Sequence, residues 1–346
     1  MDSLVRVLIV DDSAYVRKVL RQMLERSPFV EVVGAARDGQ EALELVEQLK
    51  PDVVTLDLIM PKVDGMTFLR EQMRRRPLPV IIVTATSEEG ELVLQALEAG
   101  AVDMVRKPTA LATEKVFEIG EELVESVKAA ARVPLRALRP APPAPVAAAV
   151  RSVSAKRAFD MILIGISTGG PQALRYLIPQ LPADFPVPLA MVLHMPVGYT
   201  ELYAQKLGEI SRMDVAEACE GAEFRPGLAL LAPAGRHMTF QRSANGKIRA
   251  HLDLQPADTM HRPSVDVLFK SAAEVFGERV LGLVMTGMGS DGQQGAAWIK
   301  ARGGVIFTEA EESCIVYGMP RSVDEAGLSD RSIPMTRIAQ SLMEMT

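Results

Sequence analysis

The stretch Met161-Ile-Leu-Ile-Gly-Ile-Ser-Thr-Gly-Gly-Pro171 joins an apolar run to a turn of small residues, and a helical pattern at Gln172–Leu181 follows it. An apolar run that ends in such a turn before a helix is typical of a parallel β-sheet whose strands are connected by helices. The turn exposes the hydroxyl of Ser167 where free N–H groups can meet a developing oxyanion. An anion-binding turn without chemistry fits the fragment equally well, so a general base must decide between the two.

Further apolar runs with helical patterns between them follow this stretch, and they predict an α/β domain. Weaker alternation on either side of Asn245-Gly246 predicts an antiparallel hairpin. The predicted strands are Pro188–His194, Leu228–Ala232 and Val280–Thr286, and the hairpin strands are His237–Gln241 and Lys247–Leu252.

The N-terminal part shows the same alternation of short β-rich runs and helical patterns. Five strands alternating with helices predict a parallel sheet covered by helices. The predicted strands are Val5–Val10, Val30–Ala35, Asp52–Asp57, Pro79–Thr84 and Val102–Val105, and helical patterns include Tyr15–Arg26 and Gln40–Lys50.

A Pro/Ala-rich segment separates the two parts. The stretch Pro140–Ala149 has neither apolar periodicity nor hydrogen-bonding side chains, and proline keeps such a chain extended. We therefore predict a first domain at residues 1–131, a linker at 132–157 and a second domain at 158–346.

The bulk composition excludes several classes of protein. A net charge of -6 disfavours nucleic-acid binding, and two cysteines, Cys219 and Cys314, are too few for a disulfide framework or a cysteine-based zinc site. No apolar run approaches the roughly 20 residues that span a bilayer, and the N-terminus lacks a signal pattern. We expect a cytoplasmic protein that neither binds nucleic acid nor inserts into a membrane.

Polar residues follow the strands of the first predicted sheet. Asp11 and Asp12 follow its first strand and Asp57 ends its third, and carboxylates converging at one sheet edge need a cation such as Mg²⁺. Thr84 lies at the end of the fourth predicted strand and Lys107 follows the fifth, so both could contact a phosphoryl group. Each residue also has an ordinary role: Asp12 or Ser13 as a helix cap, Thr84 as a strand end, Lys107 as a solvated charge.

Taken together, these residues resemble a response-regulator receiver domain over residues 4 to 130, which implies a flavodoxin-like fold. The resemblance implies that Asp57 accepts the phosphoryl group, that Asp11, Asp12 and Asp57 hold Mg²⁺, and that Thr84 and Lys107 sense the phosphoryl group. Met104 stands where such domains usually carry an aromatic residue. The matching motifs are Asp11-Asp12, Asp57-Leu-Ile-Met-Pro-Lys-Val-Asp-Gly65, Thr84 and Lys107-Pro108.

The search for a general base in the second domain is short, because the chain has four histidines, His194, His237, His251 and His261. An isolated strand-end histidine is more often structural than catalytic. His194, however, ends the strand expected to pair with the one before Ser167, on the same sheet edge. That position favours His194 as the base.

A carboxylate should orient this histidine. Asp291 lies in Thr286-Gly-Met-Gly-Ser-Asp-Gly292, just after a predicted strand, although it could simply cap the next helix. A competing arrangement uses Asp258 with His261, which lie in a Pro-flanked segment that no predicted strand positions.

Five motifs resemble the catalytic domain of chemotaxis response-regulator protein-glutamate methylesterases/protein-glutamine glutaminases, over about residues 158 to 345. The order Ser, His, Asp agrees with that family and differs from the Ser, Asp, His order of ordinary α/β-hydrolases. Ile166, Leu193 and residues 308–313 depart from the usual pattern. The motifs are Gly165–Pro171, His194-Met-Pro196, Arg262-Pro-Ser-Val-Asp266, Thr286–Gly292 and Tyr317-Gly-Met-Pro320.

The resemblance implies a doubly wound α/β domain with a mostly parallel sheet that hydrolyses glutamate γ-methyl esters and deamidates glutamines on chemoreceptors. Ser167 would be the nucleophile, His194 the base and Asp291 its partner. Thr168, by its position, and Met288, by the resemblance, would donate backbone N–H groups to the oxyanion. No cofactor is expected in this domain.

The implied partners are methyl-accepting chemotaxis receptors as substrate and a chemotaxis histidine kinase as phosphodonor, with the protein acting as a monomer. Two other classes stay open. A receiver-linked transcription factor would need a basic helix-turn-helix, and a catalytically inactive docking protein of a chemosensory complex would not react at Ser167.

Overall fold

The structure is a computed structural model that describes residues 4–84, 90–107, 114–134 and 159–346, without the side chains of residues 114–118. The chain forms two compact units, Met1–Pro140 and Ala141–Thr346. Apart from residues 132–134, the predicted linker lies outside the described residues, and its extended form stays a prediction.

In the described part of the first unit, five strands form the sheet: β1 Val5–Val10, β2 Val30–Ala36, β3 Val53–Leu56, β4 Val80–Thr84 and β5 Asp103–Arg106. Their order is β2-β1-β3-β4-β5, and each pairing is parallel. Strands β1, β3 and β4 are almost wholly buried because helices cover both faces of the sheet. This order confirms the predicted flavodoxin-like fold.

Three of the described helices of this unit begin at side-chain caps that the sequence supplies. Ser13, Asp38 and Asp64 each accept a hydrogen bond from the backbone N–H three residues further on, which satisfies a donor that the first helical turn leaves open. The helices are α1 Ala14–Leu24, α2 Gly39–Leu49, α3 Gly65–Arg75, α4 Gly90–Glu98 and α5 Glu114–Ala130.

In the described residues of the second unit, seven parallel strands form one sheet. They are β6 Met161–Ile166, β7 Leu189–Leu193, β8 Asp214–Glu217, β9 Leu228–Leu231, β12 Val280–Val284, β13 Val305–Glu309 and β14 Arg331–Ile333. The order is β14-β13-β12-β6-β7-β9-β8. Strand β6 therefore lies at the centre, between β12 and β7, and is buried along its whole length.

The predicted hairpin is present as β10 His237–Arg242 and β11 Ile248–Asp253, which pair in antiparallel register. The ring centroid of Phe240 in this hairpin lies 5.2 Å from that of Phe276, and this contact packs the hairpin against the core. The helices of this unit are α6 Gly170–Leu177, α7 Thr200–Ile210, α8 Val265–Phe276, α9 Gln293–Ala301, α10 Met319–Glu325 and α11 Met335–Met345.

In the part of the chain that the structure describes, none of the helices combines the length and the apolar character needed to cross a membrane.

Candidate active site and phosphorylation site

Ser167 occupies the turn between β6 and α6. Its backbone N–H donates to the carbonyl oxygen of Thr286 at 3.0 Å, and its own carbonyl accepts from the N–H of Gly170 at 2.7 Å. Gly169 has φ +78°, a backbone conformation that glycine adopts without a steric penalty. The half-buried serine thus lies at the N-terminal end of α6, where the helix dipole favours negative charge.

Strand register brings His194 next to this serine. Ile166 pairs with Leu193, and the backbone N–H of His194 donates to the carbonyl oxygen of Ile166 at 3.1 Å. Ser167 and His194 are therefore the first residues beyond two paired strand ends. Their side chains are not hydrogen-bonded, because Nδ1 of His194 is buried without a partner among the described residues. Catalytic hydrogen bonds are often long in free enzymes and shorten on substrate binding.

Asp291 contacts the opposite nitrogen of the same ring. His194 Nε2 lies 2.8 Å from Asp291 Oδ2, with only 9% and 10% of the two side chains exposed. A carboxylate at this distance favours the tautomer that carries its proton on Nε2. The unprotonated Nδ1 is then the atom that can accept a proton. In the familiar serine-protease triad the two nitrogens have the opposite roles.

The start of α8 holds Asp291 in place. Ser264 Oγ and the backbone N–H of Asp266 donate to Oδ1, each at 2.9 Å, and the N–H of Val265 donates to Oδ2 at 2.8 Å. Burial opposes ionisation of Asp291, but its hydrogen bond to His194 and these backbone donors hold its pKa well below the ordinary value. Asp291 is therefore an anion beside His194 at neutral pH.

A second carboxylate, Asp266 in the first turn of α8, links this helix to the start of α9. Its Oδ1 accepts from the N–H groups of Gly292 at 2.9 Å and Gly295 at 2.7 Å. Burial raises the pKa of Asp266 to about 6, and the nearby charge of Asp291 acts in the same direction. The first turns of α8 and α9 are thereby fixed to each other on either side of Asp291.

A buried acid supports the loop that begins at Thr286. The N–H of Thr286 donates to Glu309 Oε2 at 2.9 Å, and Ser313 Oγ donates to Oε1 at 3.0 Å. Glu309 is fully buried, and burial raises its pKa to about 7. Glu309 thus links the end of β13 to the loop that carries Met288 and Asp291.

Gly287 and Met288 lie against the serine. A Cβ at Gly287 would come within 2.8 Å of Ser167 Cβ, so a larger residue there would displace the serine. The carbonyl of Gly287 accepts from the N–H groups of Gly318 at 3.1 Å and Met319 at 2.8 Å. Met288 is half-buried and Thr168 is buried. Their roles as oxyanion donors stay predictions.

The other histidines have separate surroundings. His237 Nδ1 accepts from the N–H of Ser264 at 3.2 Å, while Nε2 lies 3.1 Å from the carbonyl oxygen of Pro256. Burial lowers the pKa of His237, so this ring is neutral and supports the serine that hydrogen-bonds Asp291. His251 lies on the hairpin beside Glu220.

The ring of His261 stacks on the ring of His194, with centroids 4.0 Å apart and an interplanar angle of 22°. Among the described residues, no hydrogen bond joins Asp258 to His261, so the competing arrangement lacks the contact it requires. Burial lowers the pKa of His261 to about 4, and any positive charge on His194 acts in the same direction. Its ring is therefore neutral at physiological pH.

In the first unit, the predicted acidic residues converge. One carboxylate oxygen from each of Asp11, Asp12 and Asp57 lies within 4.8 Å of the others. Lys107 Nζ lies 2.7 Å from Asp57 Oδ2 and 3.0 Å from Asp11 Oδ2. The N–H of Lys107 also donates to the carbonyl of buried Thr84 at 2.7 Å, which joins the two predicted phosphate sensors. Pro108 lies outside the described residues.

Charge in this cluster is only partly balanced. Burial raises the pKa of Asp57 even though Lys107 lowers it, and the contacts of Lys107 with Asp57 and Asp11 raise the pKa of the lysine against the effect of burial. Ser13, rather than Asp12, caps α1, which leaves the exposed Asp12 side chain available. Three close carboxylates and open access on one side fit Mg²⁺, which prefers oxygen ligands and keeps some of its water.

Two supporting groups were not identified from the sequence. The donors to Asp291 come from the motif Arg262-Pro-Ser-Val-Asp266, and the stacked ring comes from the adjacent His261. A serine directly before a helical pattern is a cap signal, which could have drawn attention to the helix start.

Comparisons with known proteins show the family of the chain. Residues 162–342 match the family described as CheB methylesterase, and residues 7–115 match the response regulator receiver domain. A protein-glutamate methylesterase/protein-glutamine glutaminase of Myxococcus xanthus (strain DK1622) is 51% identical over 333 residues, which cover 96% of this chain and 95% of the relative. A protein of the same description from Symbiobacterium thermophilum is 44% identical over 351 residues, covering 98% and 96%.

A solved structure is similar to the second unit. The CheB methylesterase catalytic domain of Thermotoga maritima is 38% identical with a TM-score of 0.53, and the match covers 55% of this chain and 100% of that one.

Proposed function

Because the chain belongs to the CheB methylesterase family, with a response-regulator receiver domain ahead of the catalytic domain, we propose that Ser167, His194 and Asp291 hydrolyse glutamate γ-methyl esters on chemoreceptors. The protein is a receiver-regulated protein-glutamate methylesterase/protein-glutamine glutaminase of chemotaxis. The observation that carries the residue assignment is the contact between His194 Nε2 and Asp291 Oδ2, 2.8 Å, beside the turn that bears Ser167.

The chemistry is an acyl transfer in two steps. Ser167 Oγ attacks the side-chain carbonyl of the substrate while His194 Nδ1 accepts the hydroxyl proton. When the tetrahedral intermediate collapses, the C–O bond to the methoxy group breaks and His194 returns the proton, which releases methanol. Water then attacks the acyl-enzyme by the same route and regenerates Ser167.

Three features of the site favour this reaction. The anionic Asp291 stabilises the imidazolium that forms on His194, and its hydrogen bonds to the start of α8 keep it in position. The N–H groups of Thr168 and Met288 would stabilise the oxyanion. In other enzymes, removing one such donor typically lowers kcat by about 10²–10³. Deamidation of glutamine would follow the same steps with ammonia as the leaving group.

The receiver domain would be controlled by a phosphoryl group on Asp57, donated by a chemotaxis histidine kinase. Asp11, Asp12 and Asp57 would hold Mg²⁺, which when bound neutralises charge on the carboxylates and on the phosphoryl oxygens. Lys107, now paired with Asp57 and Asp11, would contact the phosphoryl group together with Thr84. We assign the receiver to residues 1–131, the linker to 132–157 and the catalytic domain to 158–346.

The decisive experiment is methanol release from methylated receptor membranes, with and without a small-molecule phosphodonor and Mg²⁺. We expect release by the purified protein that increases with the phosphodonor. A folded protein that releases no methanol under either condition, and does not react with a fluorophosphonate at Ser167, would instead be a receiver-linked docking protein.

A further inference from the structure

Within the part of the chain that the structure describes, the ring of His261 packs against the ring of His194. The two rings lie nearly parallel, with centroids 4.0 Å apart, and this geometry is close enough for direct face-to-face packing. The role of His261 in the proposed reaction therefore depends on what its ring does for His194.

The imidazole of His194 has few polar restraints of its own. Nε2 contacts Asp291 at 2.8 Å, whereas Nδ1 is buried and has no hydrogen-bond partner among the described residues. A single hydrogen bond at one edge leaves the ring free to tilt about that contact. The face of His261 opposes such tilting, because any change of plane would separate or overlap the two rings.

The segment that carries His261 is itself fixed. The carbonyl of Arg262 accepts from the N–H of Gly235 at 2.9 Å, and the N–H of Ser264 donates to His237 at 3.2 Å. Ser264 Oγ also donates to Asp291 at 2.9 Å. A short, anchored segment thus holds both members of the His194–Asp291 pair, one by ring packing and one by hydrogen bonds.

We propose that His261 is a positioning residue for the proposed esterase reaction, whose ring fixes the plane of His194 and thereby aims Nδ1 at Ser167. This inference rests on the proposed function. The ring also lies over the face of His194 where positive charge develops during the reaction, and an uncharged aromatic face stabilises a cation. Because the pKa of His261 is lowered to about 4, the ring adds no competing positive charge there.

Positioning of His194 requires a flat aromatic ring but no transferable proton. Substitutions of His261 can therefore distinguish positioning from proton transfer. His261→Phe keeps a ring of similar thickness, and His261→Ala removes it. His251→Ala is the matched control, since His251 lies on the hairpin and contacts Glu220 instead of the site. His261→Leu serves as the second ring-free variant if the alanine protein does not fold, as judged by circular dichroism.

The experiment measures kcat and KM for methanol release by the full chain with phosphodonor and Mg²⁺, together with the rate of Ser167 labelling by a fluorophosphonate. For the ring-free variants we expect kcat and the labelling rate to fall about 10- to 100-fold while KM changes less than about threefold, the pattern of a misplaced base. His261→Phe should recover most of the loss, and His251→Ala should match the parent protein.

Two results would overturn the proposal. Normal kcat and normal labelling in a folded ring-free variant would show that the ring does not position His194, and equal losses in the phenylalanine and alanine variants would show that His261 acts through its nitrogens. If the parent protein labels at Ser167 but releases no methanol, the substrate assignment fails, while the labelling rates still test the role of His261.

Discussion

The backbone N–H of His194 donates to the carbonyl oxygen of Ile166, and this hydrogen bond extends the pairing of β7 with β6 by one residue. The candidate base and the candidate nucleophile, Ser167, are thereby positioned by two buried central strands instead of by mobile loops. Sites built on such strands are more precise than sites on loops, and we expect substitutions of either side chain to affect chemistry more than folding.

We expect Ser167→Ala to lose most methanol release and all labelling by a fluorophosphonate, because the acyl-enzyme needs the serine oxygen. Ser290→Ala, at an exposed position of the neighbouring loop, is the control and should retain activity. Near-normal turnover by a folded Ser167→Ala protein would eliminate the covalent mechanism.

Asp291→Asn should lower kcat by about 10⁴ if this residue acts as triad aspartates do elsewhere, because the amide favours the wrong tautomer of His194 and cannot stabilise its positive charge. Steady-state kinetics with phosphodonor present measures the effect. Asp266→Asn, which changes the neighbouring carboxylate without touching His194, is the comparison. Normal turnover by Asp291→Asn would move the third residue of the site elsewhere.

Phosphoryl transfer to the receiver should require Mg²⁺ and Asp57. Asp57→Ala should abolish phosphorylation, and Asp12→Ala should slow it, because the Mg²⁺ site loses an oxygen ligand. Intact-mass measurement after incubation with a phosphodonor, with and without EDTA, gives the stoichiometry. Phosphorylation that persists in Asp57→Ala would place the acceptor at another residue, and a normal rate in Asp12→Ala would argue against its role in metal binding.

Glu309 should make the catalytic domain less stable as the pH rises. Burial raises its pKa to about 7, so between the ordinary value of 4.5 and about 7 the unfolded chain releases a proton that the folded domain retains. The resulting loss of stability is complete above about pH 7 and is at most about 3 kcal/mol. Glu309→Gln keeps an acceptor for the N–H of Thr286 and removes this loss.

Calorimetry at pH 5 and pH 8 tests the expectation. Glu309→Gln should raise Tm more at pH 8 than at pH 5, whereas Glu311→Gln, at an exposed position nearby, should change it little at either pH. An equal change at both pH values would show that the charge of Glu309 does not limit stability.

The receiver should restrain the esterase until Asp57 is phosphorylated, because a switchable domain is tethered to a domain with its own catalytic residues. Residues 158–346 alone should demethylate receptors faster than the unphosphorylated whole protein, and a phosphodonor should accelerate only the latter. Both must be compared at equal concentration with Mg²⁺ present. If the isolated domain were no faster and the phosphodonor changed neither rate nor substrate affinity, inhibition by the receiver would be ruled out.

The sequence predicted the strands that carry the site because these strands are buried on both faces and appear as continuous apolar runs, as in β6 and β7. Strands β8 and β14 were missed because they are short, lie at the two edges of the sheet and contain polar residues. Strand β13 begins with the apolar run Val305-Ile-Phe307, which is a sequence signal of a buried strand.

The site residues also divide into those that the sequence predicted and those that it did not. Ser167, His194 and Asp291 each follow a strand, so strand order alone brings them to one edge. The groups that support Asp291 come from the start of α8, and His261 comes from an irregular segment before it. Neither position follows from periodicity, because both depend on how the segment between the hairpin and α8 folds back over the sheet edge.

The contact between Nε2 of His194 and Asp291 has a spectroscopic consequence. A proton shared between two side chains that are about nine-tenths buried exchanges slowly with water and resonates at low field. The nitrogen that carries this proton, Nε2, is bonded to both ring carbons that carry hydrogen. Long-range ¹H–¹⁵N spectra of selectively labelled protein should therefore connect Nε2 to two ring protons with similar intensity. The tautomer of the resting enzyme can thus be determined directly, without substrate and without a single substitution.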